Sequence, residues 1–218
     1  RTGLPAFLSV DEEGGTVARV AANEAFGVTN VGNMSDIGAA GDAQKAYDAG
    51  VTIGTYLKQL GFNVDYAPVA DVLTNPGNTA IGTRSFGSDA SMVADMVIKE
   101  LEGLSSQGVF GAVKHFPGQG GVSGDSHDGA VTLDKSLEEL MQTELVPFQK
   151  ALENGVSFVM VGHISVPQVV GDNTPASLSQ MMVSNVLREQ LGYQGIVITD
   201  AMNMGAITGT YTADQAAV

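Results

Sequence analysis

The sequence contains no cysteine and no tryptophan. Without cysteine there are no disulfides, no thiolate metal sites and no cysteine nucleophile, an absence compatible with the cytoplasm and with secretion alike. Basic residues are scarce too: 10 Lys and Arg stand against 24 Asp and Glu, a formal net charge of −14. A nucleic-acid binder needs clustered cations to neutralise phosphates, and attraction to anionic lipid needs the same. Neither partner is expected. No apolar run approaches the ~20 residues of a membrane-spanning helix. Only 16% of the 218 residues are charged and 44% are apolar, the composition of a folded chain with a real core.

Glycine is abundant where those residues are rare, at 28 positions, nearly twice the average share of about 7%. The glycines read as helix stops and turn residues at the ends of apolar segments. Five near-continuous apolar runs read as buried parallel strands: 4–10, 62–69, 109–113, 157–162 and 195–199. Helical periodicity fills the gaps. Ala46, Ala49, Ile53, Leu57 and Leu60 recur over 42–60, with Gly61 at the stop; Val93, Val97, Leu101 and Leu104 recur over 89–107, ending at Gly108. Ser136 and Glu139 form a capping box, opening a helix that buries Leu137, Leu140, Met141, Phe148 and Leu152 and that Pro147 kinks. A fourth helix spans 179–191, stopped by Gly192.

Strand alternating with helix means βαβ units, in an open doubly wound sheet or in a (β/α)8 barrel. Each strand ends in a polar residue foreign to a core: Asp11, Asp71, Lys114-His115, His163 and Asp200. A barrel gathers these positions on one rim, where barrel enzymes keep their chemistry, and no glycine fingerprint follows the first strand. The expected fold class is therefore α/β, a (β/α)8 TIM-type barrel. Eight units need roughly 250 residues, and the chain starts at Arg1, directly on a strand, with five clear strands. The expectation is a single catalytic barrel domain over 1–218, incomplete at both ends and part of a longer protein.

Chemistry concentrates in Lys114-His115-Phe116-Pro117-Gly118-Gln119-Gly120, running on to Asp125-Ser126-His127. Glycines 118, 120, 121 and 124 suggest a mobile loop that folds over the rim. An Asp two residues before a His can accept its ring N–H and stabilise the imidazolium, which suits general acid–base work. The spacing does not fit a phosphate loop. Asp200 ends an apolar strand, where a carboxylate is costly unless paired or used. Of the three carboxylates at 11–13, Asp11 is the candidate ligand contact, and Glu12 and Glu13 read as a solvated turn. Arg19, Arg84 and Lys114 lie near the rim, either pairing with these carboxylates or binding substrate.

Five segments together resemble glycoside hydrolase family 3, in particular its β-N-acetylglucosaminidase branch. They are Ser9-Val10-Asp11-Glu12-Glu13-Gly14-Gly15 with Arg19, Ala67-Pro68-Val69-Ala70-Asp71, Ile81-Gly82-Thr83-Arg84-Ser85-Phe86, the stretch from Lys114 to Gly120 with Asp125-Ser126-His127, and Ile198-Thr199-Asp200-Ala201-Met202-Asn203-Met204. The resemblance implies a (β/α)8 barrel and a retaining β-N-acetylglucosaminidase acting on glycans or peptidoglycan fragments. It implies Asp200 as nucleophile and His127 as acid/base, oriented by Asp125. It also implies substrate contacts at Asp11, Arg19, Arg84, Lys114 and His115, and neither a metal nor an organic cofactor. The family loop usually reads Pro-Gly-His-Gly; here Gln119 replaces that His, keeping hydrogen bonds but not charge. Some members of the branch resemble phosphorylases, with phosphate in place of water. Two other classes compete: a metal-dependent barrel hydrolase with ligands from His115, His127, His163, Asp125 and Asp200, and a non-catalytic sugar-binding or inactive truncated barrel.

Overall fold

The computed structural model of the chain describes Gly3 and residues 6–217. All five expected strands form within one sheet: β1 (Ser9–Val10), β2 (Val64–Asp65), β3 (Phe110–Phe116), β4 (Phe158–Val161) and β5 (Ile196–Thr199). Leu4 and Pro5, the start of the first predicted run, lie outside the described residues. Every neighbouring pair is parallel, and the order across the sheet is the order along the chain. A doubly wound sheet must reverse its strand order at a switch point; this one never does. The result is a curled, barrel-type half-sheet with helices on its outside.

The run at 62–69 is regular over only two residues, yet it continues beside β3. Ala112 donates to the Ala67 carbonyl at 2.8 Å and Ala70 to the Lys114 carbonyl at 2.7 Å. That extension carries Asp71 to the same end of the sheet as the other strand termini.

Crossovers between parallel strands need helices, and capping residues set where they start. A short helix, α1 (Met34–Ala40), escapes the periodicity analysis because it spans barely two turns. Asp42 caps α2 (Ala43–Gln59) by accepting from Gln44 N, and Asp89 caps α3 (Ala90–Ser106) by accepting from Met92 N. Leu60, predicted to face the core, is 43% exposed beyond the last turn of α2. On α3 the deeply buried stripe includes Glu100 as well as Val93, Val97 and Leu104, with Leu101 only partly buried. The capping box at Ser136 forms as predicted. Pro147, however, splits the predicted single helix into α4 (Leu137–Gln142) and α5 (Val146–Glu153). In a continuous helix its ring would clash with the Thr143 carbonyl, and Thr143 instead leaves helical geometry, at φ −139° and ψ −78°. The fourth helix, Met181–Gln190, has π winding, burying Met182, Val186 and Leu187.

Several glycines are not turn residues, contrary to the compositional reading. Gly50 on α2 and Gly103 on α3 sit where the two helices touch. A Cβ at Gly50 would lie 2.3 Å from the Glu100 carbonyl oxygen, and one at Gly103 would lie 2.3 Å from that of Tyr47. Glycine here sets interhelical distance. Beneath the helices, Phe116 meets Phe148 edge-to-face at 5.5 Å, with Val113, Val159, Val161 and Leu140 in the same core.

Candidate active site

Because the five strands are parallel, their C-terminal ends define one rim, and the predicted polar residues gather there. Asp11 follows β1, Asp71 follows the β2 extension, Lys114 and His115 lie in β3, His163 follows β4, and Asp200 follows β5.

Cations and carboxylates interlock at this rim. Lys114 Nζ donates to Asp11 Oδ1 at 2.7 Å and lies 2.6 Å from Glu13 Oε1. Arg84 grips the same Glu13 with two prongs, Nε to Oε2 and Nη2 to Oε1, each 2.8 Å. Burial alone would raise the Glu13 carboxyl, but Lys114 and then Arg84 outweigh it and hold the group at about 2. Burial likewise opposes the charge on Lys114, and Glu13 and Asp11 more than restore it. The solvated turn expected at 12–13 is therefore absent. Both carboxylates are buried: Glu12 accepts from Val20 N, Ala21 N and the Tyr56 hydroxyl, and Glu13 is the counter-ion of the rim.

Asp71 holds the next group. Its Oδ2 lies 2.7 Å from His115 Nδ1, and its Oδ1 accepts from the backbone N–H groups of His115 and Gln119. His115 Nε2 then stands 3.4 Å from Arg84 Nη2. Asp200, half-buried, accepts from Ala201 N at 2.7 Å. Burial pushes its carboxyl up, while His115, the Ala201 amide, His163 and Lys114 together pull it below its ordinary value. The side chain is an anion at neutral pH.

Asp125 takes both the backbone N–H of His127, at 2.9 Å, and its Nδ1, at 2.7 Å. Slight burial raises the Asp125 carboxyl, and these two bonds lower it further than burial lifts it. His127 is exposed, and its Nε2 makes no hydrogen bond among the described residues. The segment is docked onto the chain just beyond Asp200: Gly205 N donates to the His127 carbonyl at 2.9 Å and Ala206 N to that of Ser126 at 3.0 Å. The glycines before it pack tightly instead of loosening it. A Cβ at Gly120 would lie 2.0 Å from the Val72 carbonyl oxygen, and those at Gly118 and Gly121 would each lie 2.8 Å from a side-chain atom. Only Gly124 of the four has ordinary room.

Two predicted participants stand apart. Arg19 donates its backbone N–H to the Asp11 carbonyl at 3.3 Å, but its side chain is exposed and joins no ion pair among the described residues. His163 spends both ring nitrogens, one on Ser177 Oγ at 2.7 Å and one on the Ala201 carbonyl at 3.1 Å, and burial lowers its pKa. It braces the residue after Asp200. Among the described residues, no three His, Asp or Glu side chains converge as a metal-ligand set. Sequence reasoning missed Glu13 and the tethering role of Asp71; the available signal was the need for counter-ions beside Arg84 and Lys114. A cavity of about 740 Å³ lies at the opposite end of the sheet, lined by residues such as Gln149, Glu153, Tyr193 and Gln194, away from this cluster.

The profile described as "Glycosyl hydrolase family 3 N terminal domain" matches residues 1–218. The chain belongs to glycoside hydrolase family 3. It is 38% identical over 219 residues to the β-hexosaminidase LpqI of Mycobacterium tuberculosis, covering 98% of this chain and 55% of that protein. A solved family 3 β-N-acetylglucosaminidase from Paenibacillus sp. str. FPU-7 superposes with a TM-score of 0.93 at 42% identity, covering 98% of this chain and 40% of that one. NagZ from Neisseria gonorrhoeae, solved in complex with N-trifluoroacetyl-D-glucosamine, gives a TM-score of 0.81 at 33% identity, with 90% and 58% covered. The chain thus spans about half the length of these family 3 relatives.

Proposed function

We propose that this family 3 chain carries the −1 site of a retaining β-N-acetylglucosaminidase, acting on terminal N-acetyl-β-D-glucosamine of glycans or peptidoglycan fragments. The observation that carries the reading is Asp200 at the end of β5, with the Asp125–His127 dyad docked onto the segment directly after it. In the first step an Asp200 oxygen bonds to the anomeric carbon as the glycosidic C–O bond breaks. His127 Nε2 gives its proton to the departing oxygen. In the second step the now neutral His127 takes a proton from water, whose oxygen displaces Asp200 from the anomeric carbon.

Asp125 fixes the ring orientation of His127 through its bond to Nδ1, leaving Nε2 for the departing oxygen. Asp11, Lys114, His115 and Arg84 present charged and polar groups to the sugar hydroxyls and N-acetyl group, with Arg19 at the edge. The acetamido specificity rests on the relatives' names and on the N-acylglucosamine held by the Neisseria protein. The consecutive strand order supports residues 1–218 as part of one catalytic (β/α)8 barrel that the complete protein closes.

The test is turnover of an aryl N-acetyl-β-D-glucosaminide, beside the aryl β-D-glucoside, by the complete protein. Selective hydrolysis of the first is expected. Asp200→Ala should abolish it, and His127→Ala should reduce it by about 10²–10⁴-fold. Azide should partly rescue His127→Ala on a good leaving group, because it attacks the glycosyl-enzyme without a general base. Wild-type rates in Asp200→Ala, or no turnover by folded protein, would overturn the proposal.

A further inference from the structure

The structure gives Gln119 a specific contact. Its Nε2 donates to Ser126 Oγ at 3.1 Å, and both residues are almost fully buried, at 3% and 1% exposure. Ser126 is the middle residue of the Asp125-Ser126-His127 segment. Its backbone is committed elsewhere, through the carbonyl that accepts from Ala206 N. The side-chain bond to Gln119 is thus the tie between the dyad and the β3 side of the rim.

The other end of that tie is anchored from every side. Gln119 N–H donates to Asp71 Oδ1 at 2.6 Å, and its carbonyl accepts from Asn78 Nδ2 at 2.6 Å. Its flanking glycines, 118 and 120, lie too close to Glu144 and Val72 to admit a Cβ. Asp71 meanwhile orients His115 through its second oxygen. One carboxylate therefore fixes both a sugar-facing imidazole and the backbone from which the dyad is held.

Resting on the catalytic reading above, we propose that Gln119 is a positioning residue: it latches Ser126 and so sets where His127 stands relative to the bond it protonates. A neutral amide performs this task without changing protonation state across the working pH range, and it adds no charge beside Asp71 and Asp125. An imidazole at the same position would titrate.

The test uses the complete protein with Gln119→Leu, Ser126→Ala and the pair, on two aryl N-acetyl-β-D-glucosaminides, one with a strongly acidic phenol as leaving group and one with a weakly acidic phenol. The value of kcat/KM reports bond cleavage, which needs His127 as acid only for the weakly acidic phenol. Each single variant should lower kcat/KM on that substrate about 2- to 10-fold, the worth of one net hydrogen bond, and on the other by less than twofold. On the good leaving group kcat and KM should fall together, because the base role of His127 in the second step suffers. The double variant should be no worse than either single one. Ser126→Ala keeps the test valid where Gln119→Leu folds poorly. Equal losses on both substrates, additive losses, or no loss would overturn the latch. Amide hydrogen exchange at residues 125–129 reads the latch without turnover and should quicken about 2- to 10-fold in both variants. Unchanged exchange sinks the latch, whereas quickened exchange in a protein that hydrolyses neither substrate sinks the catalytic reading and leaves the latch standing.

Discussion

Glu13 shows how one buried carboxylate governs the rim. It accepts from Arg84 through two bonds and pairs with Lys114, and none of the three side chains is freely solvated. Neutralising Glu13 leaves Arg84 without its ion-pair partner and Lys114 with Asp11 alone, at a cost of about 3–5 kcal/mol. Glu13→Gln should lower the free energy of unfolding by that amount at pH 7, measured by urea denaturation; a change below about 1 kcal/mol would contradict the buried-pair account. The carboxyl's folded value of about 2 lies below its ordinary 4.5. Its stabilisation is therefore complete above pH 4.5 and drains away as pH falls towards 2. Acid should narrow the gap between wild type and variant over that window. The strand-end position of Asp200 and the Asp125–His127 hydrogen bond were legible in the sequence, from a polar residue closing an apolar run and from an Asp-x-His pair. Glu13 was not. An acidic residue before two glycines looks the same in a solvated turn and beneath a cation cluster, and only the cations' positions decide between them.

Among the elements, α3 carries the least expected group. Glu100 lies on its buried stripe with neither carboxylate oxygen bonded among the described residues. Burial first, and then the charge on Glu13, push its carboxyl up to about 8. Being raised in the folded state, this group adds no ionisation penalty below pH 4.5. Its penalty grows as pH rises to about 8, where the folded form must also ionise. Glu100→Gln, an isostere of the protonated acid, should match wild type in melting temperature near pH 4.5 and exceed it by several degrees at pH 8 and above. An advantage that stayed flat with pH would contradict the assignment. The strands were legible because doubly covered parallel strands are continuously apolar, and α2 and α3 because aspartates cap them. What stayed hidden needed tertiary partners: the helix–helix glycines, the break before Pro147, and the seating of residues 118–121 against Val72 and Glu144. Glycines 118, 120 and 121 sit at close approaches, whereas Gly124 has ordinary room.

At the scale of the molecule, strand order decides the architecture. Five parallel strands in chain order wind one way, so their polar termini converge on a single rim instead of spreading along an edge. That convergence sets Asp200 within the field of His115, His163 and Lys114, and it brings the Asp125–His127 segment against residues 205–206. Arg84 and Lys114 offset the carboxylates of Glu13 and Asp11 at this rim. The central claim is that this rim forms a covalent glycosyl-enzyme on Asp200. It is tested most directly by trapping that species. A 5-fluoro-N-acetyl-β-D-glucosaminyl fluoride combines a ring substituent that slows both steps with a leaving group that favours the first. After incubation with the complete protein, peptide mass mapping should find one sugar equivalent on the peptide containing Asp200, lost in Asp200→Asn. An adduct on another carboxylate, or time-dependent inactivation of Asp200→Asn at the wild-type rate, would contradict the account.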